Sequence, residues 1–158
     1  MKKSIITIDG TAASGKEKIS KYISRKLKFK HLDSGIFYRR LALIFLNNNV
    51  DVNNINDIKK TISQINAISY RESKKIRSQE ISIISSKIAI YNFVRLYINN
   101  LQYNFVKNNK NCRGFVIDGR DIGSVVFKKA DLKLYIEVKP EIRAKRRYKQ
   151  LIDSGEKS

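Results

Sequence analysis

Short apolar runs and three-to-four-residue periodicities take turns along this chain. The run SIITID, residues 4–9, is a short β-type stretch ending in Asp-Gly. After Gly15 the apolar positions Ile19, Tyr22, Ile23 and Leu27 recur at helical spacing, which predicts a helix. HLDSG reads as a short strand or a loop, and IFYRRLALIFL as a buried helix. Residues 47–60, NNNVDVNNINDIKK, are polar and asparagine-rich, predicting a loop that gives way to a helix at Asp57. From 84 to 105 the apolar residues Ile84, Ile88, Tyr91, Val94, Ile98, Leu101 and Phe105 step by three or four, a long amphipathic helical pattern. Two further apolar runs, GFVID and LKLYIEV, follow, and the second leads into Pro140 and the basic helix PEIRAKRRYKQLI. Proline suits the first turn of that helix.

Strands are therefore expected around residues 4–9, 31–33, 114–118 and 132–138, alternating with helices. That alternation implies an α/β fold with a parallel sheet and ligands at the C-terminal ends of the strands. The length of 158 residues fits one domain, and 42% hydrophobic with 30% charged residues is a globular composition. Cys112 is the single cysteine, so no internal disulfide forms and a reducing compartment is expected. There is no Cys/His cluster for zinc. The start, MKKSIITIDG, carries too few apolar residues for a signal peptide, and no 18-residue apolar run follows. A soluble, cytoplasmic protein with no membrane partner is expected.

Charge changes the picture more. Lys+Arg total 33 against 14 Asp+Glu, a formal net charge of +19. Such a field attracts polyanions, which keeps nucleotides and nucleic acid both in view. The lysines are not gathered into one block, however, and lysine, isoleucine and asparagine are abundant throughout, so much of the excess reads as compositional bias. An RNA-binding protein is the alternative from a different class, but no RNA-stacking motif supports it.

The chemistry starts at GTAASGK, which fits G-x-x-x-x-G-K with Gly10, Gly15 and Lys16 at the defining positions. It lies between an expected strand and an expected helix, as the motif requires. Its backbone, Gly10 through Ala12, Ala13, Ser14 and Gly15, can turn N–H groups around phosphate oxygens, assisted by the partial positive charge of the helix N-terminus. Lys16 can then reach the β- and γ-phosphates as a point charge. The hydroxyl that usually follows the lysine and helps hold magnesium is replaced by Glu17 and Lys18. Lysine supplies charge without coordinating a metal; glutamate suits the helix dipole and opposes phosphate, so these two positions stay open.

Four stretches together resemble the bacterial cytidylate (CMP/dCMP) kinases: ITIDGTAASGK, HLDSGIFYRRLAL, FVIDGRDIGSVVFKKADLKLYIEVKPEIRAKRRYKQL and, more loosely, IRSQEISIISSKIAIYNFVR. They span nearly the whole chain in the family's order. The resemblance implies a P-loop nucleoside monophosphate kinase, a parallel sheet of about four strands flanked by helices. It implies one domain, 1–158, with a P-loop region (1–33), a monophosphate-binding region (34–110), core strands (111–139) and the start of a lid (140–158). The implied reaction transfers the γ-phosphoryl group of ATP to CMP or dCMP with Mg2+, in a monomer, with nucleic acid not expected as a partner.

The resemblance also implies site residues. Lys16, Arg120 and Asp118 are the expected catalytic set. Gly10, Ala12, Ala13, Ser14, Gly15, Lys16, Arg143 and Arg147 are expected on ATP, with Arg146 adjacent. Ser34, Tyr38, Arg39, Ser86, Arg95, Arg120 and Asp121 are expected on CMP, Ser86 reading cytosine and Asp121 the ribose, while Asp118 supports metal and loop. Tyr38 also reads as core, Arg40 as surface, and the lid arginines as a solvated basic face. Ser86 and Arg95 lie nine positions apart, on opposite faces of one straight helix, so a helix break near Tyr91–Asn92 is expected, with Asn92 as N-cap. The family usually continues into a lid loop, an arginine- and aspartate-rich helix, a fifth strand and a final helix, which these residues lack. A kinase whose chain is reduced or is a piece of a longer protein, and a nucleotide-binding remnant or fragment without useful turnover, are the expectations that follow.

Overall fold

The computed structural model describes residues 2–153 and Gly155. The polar terminal residues DSGEKS are expected from the sequence to fray; apart from Asp153 and Gly155 they lie outside the described residues. Four strands appear among them: β1 (Ser4–Gly10), β2 (Lys30–Asp33), β3 (Gly114–Gly119) and β4 (Leu132–Ile136). They form one parallel sheet in the order β2-β3-β1-β4, so HLDSG opens on a strand rather than a loop. The helices are α1 (Lys16–Leu27), α2 (Gly35–Asn47), α3 (Ile55–Ser63), α4 (Gln79–Ile88), α5 (Asn92–Asn108) and α6 (Pro140–Asp153), the last beginning on its proline. No single helix among the described residues is long and apolar enough to cross a membrane.

Two compact units divide the chain, one of Met1–Ser34 with Tyr103–Ser158, the other of Gly35–Gln102. In the first, β3 is buried along its whole length, as a central parallel strand covered on both faces must be, and β1 is buried at Ile6, Thr7, Ile8 and Gly10. Ile6, Ile8 and Val116 form its core, with Ile23, Phe29, Leu134 and Ile136 packed against them. Each such side chain contributes about 1.5–3 kcal/mol on burial. Of the apolar positions marked on helix α1 only Ile23 packs against the core, and two serines are buried on the helix besides it. Ser20 and Ser24 are buried, while Ile19, Tyr22 and Leu27 are exposed. The serines tolerate this because their hydroxyls donate within the helix, to the carbonyls of Lys16 and Lys21. Small side chains allow the helix that follows the loop to sit close to the strands.

In the second unit α2 buries Ile36, Phe37, Leu41, Ala42 and Phe45 and packs against α4. Helix α3 begins at Ile55, two residues before Asp57, because Asn54 caps it, accepting from the N–H groups of Asn56 and Asp57. The amphipathic pattern across 84–105 is broken, as expected, into α4 and α5, which meet at an angle of 107°. The capping position is Tyr91 rather than Asn92. The Tyr91 carbonyl accepts from the N–H groups of Val94 and Arg95, and Asn92 is already helical. The Tyr91 hydroxyl donates to the Val52 carbonyl at 3.2 Å and its ring stacks on Phe93, which fixes the corner.

Candidate active site

The end of β1 and the segment that follows it supply the first part of the site. Gly10 lies so close to β4 that a Cβ there would stand 2.8 Å from the Ile136 carbonyl oxygen and 2.9 Å from Ser14 Oγ. Beyond it the loop turns through two left-handed residues, Ala13 (φ 58°) and Gly15 (φ 89°). Such alternation makes a concave backbone nest of the kind that holds anions. Gly15 is the N-cap of α1 and makes no side-chain capping bond, leaving the helix N-terminus to supply N–H donors. Lys16 Nζ donates to the Thr11 carbonyl at 3.3 Å, folded back along the loop. Glu17 is paired with Lys21 at 2.6 Å, one turn along, and Lys18 is exposed. The Glu17 and Asp33 carboxylates approach within 4.8 Å of one another.

The run DGRD closes β3 beside this loop. Asp9 stands opposite Gly119 in the parallel register, so both segments leave the same end of the sheet. Asp118 is 1% exposed; its Oδ2 meets His31 Nε2 at 2.5 Å, and its Oδ1 has no hydrogen-bond partner among the described residues. Burial pushes the Asp118 carboxyl above its ordinary 3.8, Asp33 and Glu17 add to the rise, and His31 opposes it. The Asp118 carbonyl accepts from the Ser34 N–H at 2.9 Å, which ties Ser34, itself buried, to the end of β3. Arg120 and Asp121 are exposed, on the rim of a cavity of about 510 Å3 that Asp9, Gly10, Thr11, Lys133 and Tyr135 also line. After them a π-helical turn, Ile122–Val126, leads the chain away.

Helix α6 brings a third group. Arg146 Nη1 donates to the Ser14 carbonyl at 3.2 Å and lies 3.5 Å from that of Ala13. Arg143 Nε donates to the Val138 carbonyl at 3.2 Å, and Arg147 is half-buried. The arginine in contact with the loop is thus Arg146.

In the second unit, Tyr38 and Arg39 are half-buried on α2. The Arg39 charge reaches Glu72, whose carboxyl, though raised by partial burial, is held below its ordinary 4.5 by Arg77 and then by Arg39. Arg40 is more than surface: its guanidinium donates twice to the Arg71 carbonyl. Ser86 is exposed on α4 with its hydroxyl donating to the Ser82 carbonyl, and Arg95 is half-buried in the first turn of α5.

Sequence reasoning assigned no role to Asp9 or His31. Asp9 was legible as a carboxylate at the C-terminal end of a strand, and His31 as the chain's one histidine in a strand flanking β3.

The model of the cytidylate kinase family matches residues 6–158. The cytidylate kinase of Mycoplasma capricolum is 37% identical over 98% of this chain and 72% of its own length. That of Fusobacterium nucleatum is 37% identical over 94% of this chain and 71% of its own. Cytidylate kinase 1 of Haemophilus influenzae is 38% identical over 96% and 69%. The crystal structure of TT1252 from Thermus thermophilus superimposes with a TM-score of 0.54 at 15% identity, covering 98% of this chain and 74% of that one, a likeness of fold alone.

Proposed function

The chain belongs to the cytidylate kinase family, and on that premise we propose that it transfers the γ-phosphoryl group of ATP to CMP or dCMP, giving ADP with CDP or dCDP. The observation that carries the reading is the register of β1 and β3. It brings a phosphate nest and the run DGRD to one end of the sheet, where ligands of parallel α/β sheets bind.

In this reading the backbone N–H groups of residues 10–15 hold the β- and γ-phosphates, and Lys16 swings from the Thr11 carbonyl onto them. A phosphate oxygen of the acceptor attacks the γ-phosphorus while the β–γ bridging oxygen departs with ADP. Little covalent help is needed, so positioning and charge neutralisation carry the rate. By the family resemblance, Ser34, Tyr38, Arg39, Ser86, Arg95, Arg120 and Asp121 are the acceptor's contacts, with Asp121 at the ribose, Arg120 at the phosphate, Ser86 at cytosine and Arg39 bidentate on phosphate. Arg143, Arg146 and Arg147 gather on the ATP phosphates when α6 closes, which excludes water. Residues 34–110 thus act as the monophosphate-binding region and 140–158 as the start of a lid, in a monomer working in the cytoplasm.

The metal such transfers use, Mg2+, fits the donors present. The paired carboxylates of Glu17 and Asp33 and the orphaned Asp118 Oδ1 are the hard oxygens this ion prefers. Glu17 and Asp33, whose carboxylate oxygens lie within 4.8 Å of one another, would hold it, and when bound it neutralises phosphate charge. Glu17 then compensates for the hydroxyl absent after Lys16.

Purified chain, with folding verified by circular dichroism, should release ADP from ATP when CMP or dCMP is added and far less with AMP or UMP. Nucleotide binding without ADP release would leave a remnant that grips phosphates; absence of ATP binding would sink the phosphate-loop reading itself.

A further inference from the structure

Asp9 looks at first like a ligand-facing carboxylate, since it is half-buried at the end of β1 and lines the cavity beside the phosphate loop. Both of its oxygens are already engaged. Oδ1 accepts from the Ile122 N–H at 2.7 Å and Oδ2 from the Gly123 N–H at 2.9 Å. These are the first two donors of the π-helical turn, which has no partner for them. Its internal bonds run from the N–H groups of Val125 and Val126 to the Asp121 carbonyl and from Phe127 to that of Ile122. A carboxylate receiving two backbone N–H groups makes short, charge-assisted bonds, and these reach across more than a hundred residues of sequence.

The turn is also held from beneath. A Cβ on Gly123 would stand 2.5 Å from Thr7 Oγ1, so the turn lies directly against β1. At its head Asp121 takes the left-handed conformation, φ 57°. That conformation is disfavoured for a residue with a side chain and needs outside support. Asp9 grips the N–H immediately after Asp121, while the Asp121 carbonyl accepts two bonds from the turn, so the peptide that sets the aim of Arg120 and Asp121 is fixed on both sides.

We propose that Asp9 is a positioning residue for the acceptor nucleotide: it locks the turn at 122–126 so that Arg120 and Asp121 are presented to CMP before CMP arrives. The inference rests on the kinase reading, because it takes those two residues as acceptor contacts. Loss of the lock lets Asp121 relax to an ordinary backbone conformation and scatters both side chains. The cost falls on CMP affinity, while ATP, held by the loop backbone and Lys16, is affected little.

The test is Asp9→Asn, an isostere that keeps one acceptor and turns an N–H2 group toward the second donor. KM for CMP should rise at least about tenfold, with KM for ATP changed less than about threefold. In the amide spectrum the Ile122 and Gly123 resonances should shift and lose exchange protection. A merely structural role would instead lower the active fraction, reducing kcat and leaving both KM values unchanged, and that result overturns the proposal. If D9N does not fold, Gly123→Ala displaces the same amide with Asp9 intact and should give the same KM pattern; unchanged CMP affinity there also overturns it. Calorimetric titration of the unaltered chain separates the two ideas. No CMP binding would overturn the kinase reading and this inference together, whereas CMP binding that survives D9N overturns this inference alone.

Discussion

Ala13 and Asp118 show how the site sets demands on single residues. Ala13 sits at φ 58°, where a Cβ costs about 1–2 kcal/mol, in a loop whose function needs that curvature. Ala13→Gly removes the strain at the expense of about 0.5–1 kcal/mol of chain entropy. Urea unfolding should therefore find the variant more stable by up to about 1 kcal/mol, with the m-value unchanged. Asp118 works in the opposite direction, as a carboxyl whose burial raises it above 3.8. The folded chain retains that proton over a window in which the unfolded chain has released it. Its contribution to stability consequently falls as pH rises from 3.8 to the elevated value, and stays reduced above it. Asp118→Asn lacks this loss, so the stability difference between variant and parent should move in the variant's favour as pH climbs through the window, as thermal melts across pH would record. The same variant should lose kinase turnover.

Helices and strands differ in how openly the chain announces them. Parallel strands were legible because buried β-type runs such as FVID have few other uses, and the start of α6 because proline marks it. The break between α4 and α5 was legible only through chemistry, since Ser86 and Arg95 could not share a face of one straight helix. Periodicity alone ran straight through it, because both helices bury their apolar residues at the same spacing. The working face of α1 was legible only in part: Ile23 marks it, while the two buried serines leave no hydrophobic signal. The grip of Asp9 on Ile122 and Gly123 was equally invisible, being a contact between distant segments that no local pattern encodes. Helix α3 carries a feature that local pattern does encode, the cap at Asn54. Asn54→Ala leaves two N–H groups to water and should destabilise the protein by about 1 kcal/mol, measurable as a lower urea midpoint with the helix still present in circular dichroism.

Across the whole molecule the net charge of +19 acts on every anion that approaches. Nucleotides should be drawn in faster than to a neutral protein, and salt should remove much of the advantage, because screening shortens the field to about 10 Å at 0.1 M. Raising potassium chloride from about 0.05 to about 0.5 M should slow ATP association severalfold in stopped-flow measurements, and CMP less, as it carries fewer charges. A single-stranded RNA should show steep salt dependence and no saturable tight complex at the higher concentration. Residual tight binding there would favour a nucleic-acid role.

The pairing of His31 with Asp118 has a practical consequence for observing all of this. The chain contains one histidine, and that histidine is hydrogen-bonded to the buried carboxylate at the centre of the proposed site. Its imidazole protons give resonances that need no assignment and no label. A metal, a phosphate or a change of protonation at Asp118 alters the bond that holds the ring, and the signal moves with it. The molecule thus carries its own spectroscopic probe, placed where ligand occupancy, ion binding and proton transfer all register in one line of a spectrum.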